Sequence, residues 1–417
     1  MSTLRKSIAG VRPCHRRRVR TSLPRFVGTM AGFLLGFAVC ATAAAQANPR
    51  PVGGLTSPIP PLTLPYSSPE GADRVLVLLL ANEHQHGRTY GSLPAMLLSD
   101  LSTSVANHLD AVSFGNVIVG GTDIYGIYPT RFDTLSGPYD GDAMVAGAMD
   151  SLQADGVAPD WQSYRFFIVV VDDVWDPHEG EDQDGDGLPD LPNGGLASRH
   201  HVVIGGEEHV IPGVVIAGFL TDNAREFVHA VAHELGHSIA LGFPHSGALD
   251  CDGAQGDYFA CRQGVSNGDR TDVMGNGGYF PGDRPRHFSG IFASMAGWLA
   301  PQNVIRDEPG VHVLHPLERD PGAGFPQLIV LRLQHKPPFD AGPVSDSYLT
   351  IEYRSGRGYD QGLEPGVLVK LMGARQLWNL TEAPLVEGDS FEDVHNRIRV
   401  EVLALYGDTA AVAVEEL

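Results

Sequence analysis

Basic residues are in short supply. Lysine and arginine number 29 against 50 acidic residues, and eight of the 29 fall before Asn48, where no acidic residue stands. Loss of that leading segment takes the formal net charge from −21 to −29. So acidic a chain is a poor partner for nucleic acid or an anionic membrane, and it fits an extracellular protein that binds cations. Cysteine is scarcer still, four residues in 417. Cys14 and Cys40 lie in the leading segment, which leaves Cys251 and Cys261. An even, closely spaced pair in an oxidising compartment reads as one disulfide. Its ten-residue spacing, with no metal-binding partners nearby, argues against a metal pair. Beyond the N-terminus no apolar run is long enough to span a bilayer, so no stable membrane anchor is expected. Internal repeats are absent as well.

What is present begins with a leader. Arg5, Lys6, Arg12, Arg16, Arg17, Arg18, Arg20 and Arg25 form a basic region, an apolar stretch runs from Phe26 to about Ala41, and Ala45-Gln46-Ala47 offers an A-x-A cleavage site. Residues 1–47 therefore read as a signal peptide and the mature protein as secreted, extracellular or periplasmic. Residues 48–73 are rich in Pro, Gly and Ser and read as a linker or short pro-segment. Fifty glycines and thirty prolines point to a loop-rich protein.

Apolar runs at 74–80 and 166–171 have the length of buried strands, and further strands are expected at 112–119, 202–204 and 214–220. Residues 93–109 carry helical spacing. Strand, helix, strand order implies an α/β (α+β) layer. A second helix is expected to start at Asn223, with Glu226 three residues on as a capping box, and to run to about Leu241 before Gly242 and Pro244 stop it. From about Asn303 the pattern changes to short alternating stretches at 328–333, 348–353, 367–371, 398–405 and 410–414. These predict a smaller all-β C-terminal domain over 303–417, sandwich-like, after a first domain over 74–302.

The second helix carries His233-Glu234-Leu235-Gly236-His237, an HExxH pattern. Residues four apart share a helix face, so both imidazoles can reach one zinc ion. Glu234, one step round, can reach a water at the open position and act as general base. A catalytic zinc site needs a third protein ligand. His245 follows the helix stop and is the leading candidate, with Asp250 and His287 as rivals. Met274 stands in a turn-like Asp272-Val273-Met274-Gly275. His229 lies on nearly the same face and reads as a hydrogen-bonded helix residue. His84 and His86 read as surface loop, and Tyr279 is a lesser candidate donor to a transition state.

A separate acidic stretch, Asp182-Gln183-Asp184-Gly185-Asp186-Gly187-Leu188-Pro189-Asp190, sets carboxylates at positions 1, 3, 5 and 9 with Gly187 at the sharp turn. It resembles a DxDxDG calcium loop, since four carboxylates so close repel one another without a cation. Position 12 is Asn193, so a full EF-hand is not expected.

HELGHSIALGFPHSG followed by DVMG resembles the metzincin clan of zinc peptidases, and more narrowly the gametolysin and immune-inhibitor-A type. Ser113-Phe114-Gly115, Ala296-Gly297-Trp298-Leu299 and residues 348–369 support it. The resemblance implies a mixed sheet with an active-site helix, zinc on His233, His237 and His245, Glu234 as base, and Met274 as the floor beneath the metal. One departure stands out: metzincins place glycine three residues after the second histidine and the third ligand six after. Here Ala240 holds the glycine position and His245 comes eight after His237, so the turn must be built differently. No cysteine in 48–73 is there to serve a cysteine-switch form of latency.

The expected activity is hydrolysis of protein or peptide substrates by a secreted zinc endopeptidase acting as a monomer. The alternative from another class is a calcium-dependent extracellular binding protein with a degenerate peptidase domain. For the acidic loop, replacing Asp184 and Asp186 together by alanine should abolish a calcium-dependent rise in melting temperature seen in the wild type. Thermal unfolding with and without calcium checks this, and a wild type indifferent to calcium would mark the loop as acidic surface.

Overall fold

The computed structural model describes residues 73–82, 104–130, 141–157, 163–172, 194–204, 207–217, 224–239, 242–250, 257–277, 285–339, 347–373, 376–381 and 383–417. The leader at 1–47, the linker short of Asp73, the acidic loop from Asp182 to Asn193, Cys251, His84, His86, Tyr279, the cap residue Asn223 and the side chain of Glu226 lie outside them. No helix among the described residues is long and apolar enough to cross a membrane.

The first layer is a five-stranded sheet in the order β2-β1-β3-β5-β4. Its strands are β1 (Asp73–Asn82), β2 (Val119–Thr130), β3 (Phe166–Asp172), β4 (Gly194–Ile204) and β5 (Glu207–Ala217). The first three pairings are parallel, and β4 lies antiparallel on the edge. Helix α1 (Val105–Val112) precedes β2, α2 (Gly141–Ala154) precedes β3, and α3 (Ala224–Ser238) follows β5. Side chains alternate across β1: Val75, Val77 and Leu79 join a core that includes α1 and α3, whereas Leu76, Leu78 and Leu80 pack with α2. A strand buried on both faces reads as a continuous apolar run, which is why 74–80 and 166–171 were legible as strands.

The strand expected at 112–119 is corrected. Val112 is the last residue of α1, whose Ser104 cap accepts from Asn107 N at 3.1 Å. Phe114 and Gly115 then turn the chain with φ of 56° and 77°, and β2 begins only at Val119. An apolar run that straddles a helix end and a strand start has no period of its own to reveal the break.

The C-terminal part is β-rich. A seven-stranded sheet in the order β7-β6-β13-β12-β11-β10-β8 faces a four-stranded one in the order β14-β15-β16-β9. In chain order these are β6 (Ser246–Asp250), β7 (Arg262–Val265), β8 (Val304–Arg306), β9 (Gly310–Leu314), β10 (Leu328–Arg332), β11 (Tyr348–Arg354), β12 (Gly366–Met372), β13 (Leu377–Asn379), β14 (Ser390–Asp393), β15 (Ile398–Leu405) and β16 (Ala410–Glu416). Helix α4 (Gly290–Met295) precedes β8. Leu349, Ile351, Tyr353, Val367, Val369 and Leu371 from the larger sheet share a core with Val400, Val402, Val412 and Val414 from the smaller.

Strands β6 and β7 come from before residue 303 yet sit in the same sheet as β8 and β10 to β13. The expected boundary at 302/303 therefore runs through a shared sheet. Ser246 of β6 lies opposite Leu377 of β13 in parallel register, which brings the segment after α3 against the C-terminal strands.

Candidate metal centre

Phe227, Val228, Ala230, Val231, Ala232 and Leu235 are all buried, so α3 is enclosed from Phe227 to Gly236, as suits a stretch apolar around most of its circumference. Among its polar residues, His229, His233 and Glu234 are buried as well, and His237 and Ser238 are half-buried. The helix ends at Ser238, three residues short of the expected Leu241. Ile239 N and Phe243 N both donate to Gly236 O, at 3.2 and 3.0 Å. Gly242 takes φ of 90°, and a Cβ there would stand 2.8 Å from the His237 carbonyl oxygen. Only glycine fits that position without strain. A wider loop thus absorbs the two extra residues before His245.

That loop brings His245 back to the helix. One ring nitrogen each from His233, His237 and His245 lies within 4.8 Å of the others, the one such cluster of potential metal-binding side chains among the described residues. The ring centroids stand 5.1 Å apart for 233–237, 5.2 Å for 233–245 and 4.7 Å for 237–245. The rivals are elsewhere. Asp250 faces Arg262 at 3.3 Å on the exposed side of β6, and His287 packs against Tyr359 and Asp360.

Each histidine has a partner for its other nitrogen. His233 Nδ1 donates to Val273 O at 2.8 Å, and His237 Nδ1 to Phe243 O at 2.6 Å. His245 Nδ1 faces Ser266 Oγ at 3.4 Å, whose own proton goes to Gln376 Oε1 at 3.1 Å. With Nδ1–H so engaged, the Nε2 lone pair is the one left for a metal. Burial, then the neighbouring imidazoles, pushes His233 well below its ordinary value and His237 down to about 4. Burial lowers His245 too. Neutral imidazole is the form a zinc ligand needs, so the donor set fits that ion.

Met274 is fully buried beneath α3. A Cβ on Gly236 would fall 2.3 Å from its sulfur and 3.0 Å from Phe288 Cε1, so the glycine inside HExxH admits the turn to the helix. Met274 N donates to Asp272 Oδ1 at 2.8 Å, and Met274 O accepts from Ser246 N at 2.8 Å. His229 is buried with its ring 5.9 Å from that of His233 and hydrogen-bonded to the Gly277 backbone. Cys261 is disulfide-bonded.

Sequence reading missed the groups behind the turn. Lys370, Glu352, Arg354, Asp360, Asp269 and Asp272 are buried together. Lys370 Nζ donates to Asp269 Oδ2 at 2.8 Å, and Arg354 bridges Glu352 and Asp360, both at 2.7 Å. The signal was alternation: Glu352 on β11 and Lys370 on β12 stand between apolar residues, and Arg354 follows Tyr353 two places on from Glu352, a pattern that ordinarily marks a face turned to water.

These features define a cluster of three histidines able to hold a metal ion, built on an HExxH helix with a methionine-bearing turn below it. No family model and no curated protein matches the chain. Among solved structures, the chain is similar to a catalytically inactive OgpA from Akkermansia muciniphila in complex with an O-glycopeptide, at 14% identity and TM-score 0.32, over 83% of this chain and 92% of that one. Wild-type OgpA in another crystal gives 15% identity over the same shares, again at a TM-score of 0.32. At that TM-score the likeness carries neither fold nor function across to this chain.

Replacing His245 by alanine should sharply lower zinc retained after dialysis against a weak chelator, while Asp250→Ala and His287→Ala keep it. A full zinc equivalent on the His245 variant would refute the ligand set. Gly242→Ala should lower the melting temperature, since a left-handed non-glycine residue costs about 1–2 kcal/mol before any clash. Because that loop holds the Phe243 carbonyl, zinc affinity should fall as well. An unchanged affinity would separate the loop from the centre.

Proposed function

We propose that the chain is a secreted zinc-dependent endopeptidase of the metzincin kind, near the gametolysin and immune-inhibitor-A type. The observation that carries this is the convergence of His233, His237 and His245 within 4.8 Å, with Glu234 on the same helix between the first two. The three histidines would hold the ion, which when bound supplies Lewis acidity toward a substrate carbonyl and an attacking water. Glu234 takes the proton from that water and hands it to the leaving amine, so water adds across the peptide bond and the carboxylate is regenerated. The Val273 and Phe243 carbonyls hold two of the rings in the tautomer this chemistry requires.

The edge of the first sheet supports a peptide substrate. β4 is its terminal strand and lies against α3. A peptide laid along such an edge gains main-chain hydrogen bonds without regard to sequence.

Glu234→Gln keeps all three ligands and removes the proton carrier. The variant should bind zinc as the wild type does and lose about 10²–10⁴-fold or more of its turnover on a generic protein substrate such as casein. Wild-type hydrolysis should disappear with a chelator and return with zinc. Near-normal turnover in the glutamine variant would refute Glu234 as the base, and casein left uncut by a zinc-loaded wild type would refute the peptidase reading.

A further inference from the structure

We propose that Lys370 is a positioning residue for the metal centre, ordering two of its three histidines through two hydrogen-bonded chains. The proposal rests on the reading of His233, His237 and His245 as zinc ligands.

Lys370 sits on β12, and its side chain has no exposed surface. The strand's alternation turns Val367, Val369 and Leu371 toward the sandwich core and Lys370 to the opposite face. There its ammonium meets groups from three segments. It donates to Asp269 Oδ2 at 2.8 Å and to Ser289 Oγ at 2.7 Å. Asp272 Oδ2 lies 3.7 Å away and Glu352 Oε1 3.8 Å away.

The first chain runs toward His233. Ser289 Oγ donates to Asp272 Oδ2, which also accepts from Ser289 N at 2.9 Å. The other oxygen of Asp272 accepts from Met274 N at 2.8 Å. Between those two residues lies Val273, whose carbonyl receives His233 Nδ1 at 2.8 Å. The carboxylate thus fixes the turn that presents the carbonyl, and the carbonyl fixes the ring.

The second chain runs toward His245. Asp269 Oδ2, held by the ammonium, also accepts from Ser246 Oγ at 2.7 Å. Ser246 is the residue after His245. Its carbonyl accepts from Asp269 N at 3.2 Å, and its amide donates to Met274 O at 2.8 Å, which ties the two chains together. His245 comes from a loop and lacks the rigid backing of α3, so its placement depends on how Ser246 is held.

A lysine that served folding alone would have no reason to place both chains within one residue of a ligand or of its hydrogen-bond partner. Partners that orient metal-binding histidines from behind set affinity by about 10- to 100-fold. The test uses full-length protein in four forms: wild type, Lys370→Met, Ser289→Ala and Ser246→Ala. Zinc affinity is measured by competition with a chromophoric chelator, and the visible spectrum is recorded after cobalt substitution. Ser289→Ala cuts only the relay to Asp272, and Ser246→Ala only the link to the His245 side.

Each variant should weaken zinc by about 10- to 100-fold and alter the cobalt band, which reports ligand geometry and does not respond to a change in global stability. Lys370→Met leaves Asp269 and Asp272 without their cation; should it fail to fold, the two serine variants carry the same test. Folded serine variants with wild-type zinc affinity and an unaltered cobalt band overturn the proposal while the metal centre stands. A wild type that takes up no zinc overturns the metal centre itself, and the proposal falls with it.

Discussion

Charge buried without water has to be matched, and that constraint organises the middle of this molecule. Asp269, Asp272, Glu352 and Asp360 share a buried interior with Lys370 and Arg354. Burial works to raise the Asp269 carboxyl, but the Lys370 ammonium and hydrogen bonds from Ser246 and Thr271 outweigh it and hold the group below its ordinary range. Asp272 goes the other way. Burial pushes it up to about 6, against the pull of Lys370. Removing one partner of a buried ion pair typically costs about 3–5 kcal/mol, whereas a well-packed apolar replacement of the whole set is often neutral. Stability alone therefore does not require such an arrangement. What it supplies is a fixed relation between a C-terminal sheet and a turn under the histidines.

The same logic holds at smaller scale around each imidazole. A histidine can rotate and has two nitrogens to offer, so a ligand set is defined only when something chooses for it. Here backbone carbonyls choose for His233 and His237, and both belong to irregular segments whose course is set by neighbours. Gly242 lets the loop after α3 double back, and Gly236 lets Met274 approach the helix. Neither glycine touches the centre, yet both decide where a carbonyl or a side chain ends up.

The helix and the pair of histidines four apart were legible from a local period, and the strands at 74–80 and 166–171 from unbroken apolar runs. His245 was legible as a candidate through the need for a third ligand, although the spacing after His237 departs from the metzincin pattern. The loop geometry that accommodates it was not legible, since it depends on one positive φ and on bonds back to Gly236 and His237. Strands β6, β8 and β13 are three to five residues long and carry too few residues to display alternation. Lys370 was hidden for a different reason: a charged residue in an alternating strand looks the same whether its face meets water or a buried carboxylate.

The parallel pairing of β6 with β13 has a consequence in time. The Leu377 amide donates to the His245 carbonyl, and Ser246 stands opposite Leu377 in the sheet. A growing chain acquires the HExxH helix long before it acquires the strand that docks beside the third histidine. Contacts between such distant segments form late, because the loop joining them must first be closed. The centre is accordingly one of the last parts of the molecule to be completed, and a chain that stops short of β13 would hold its first two histidines without the frame that steadies the third.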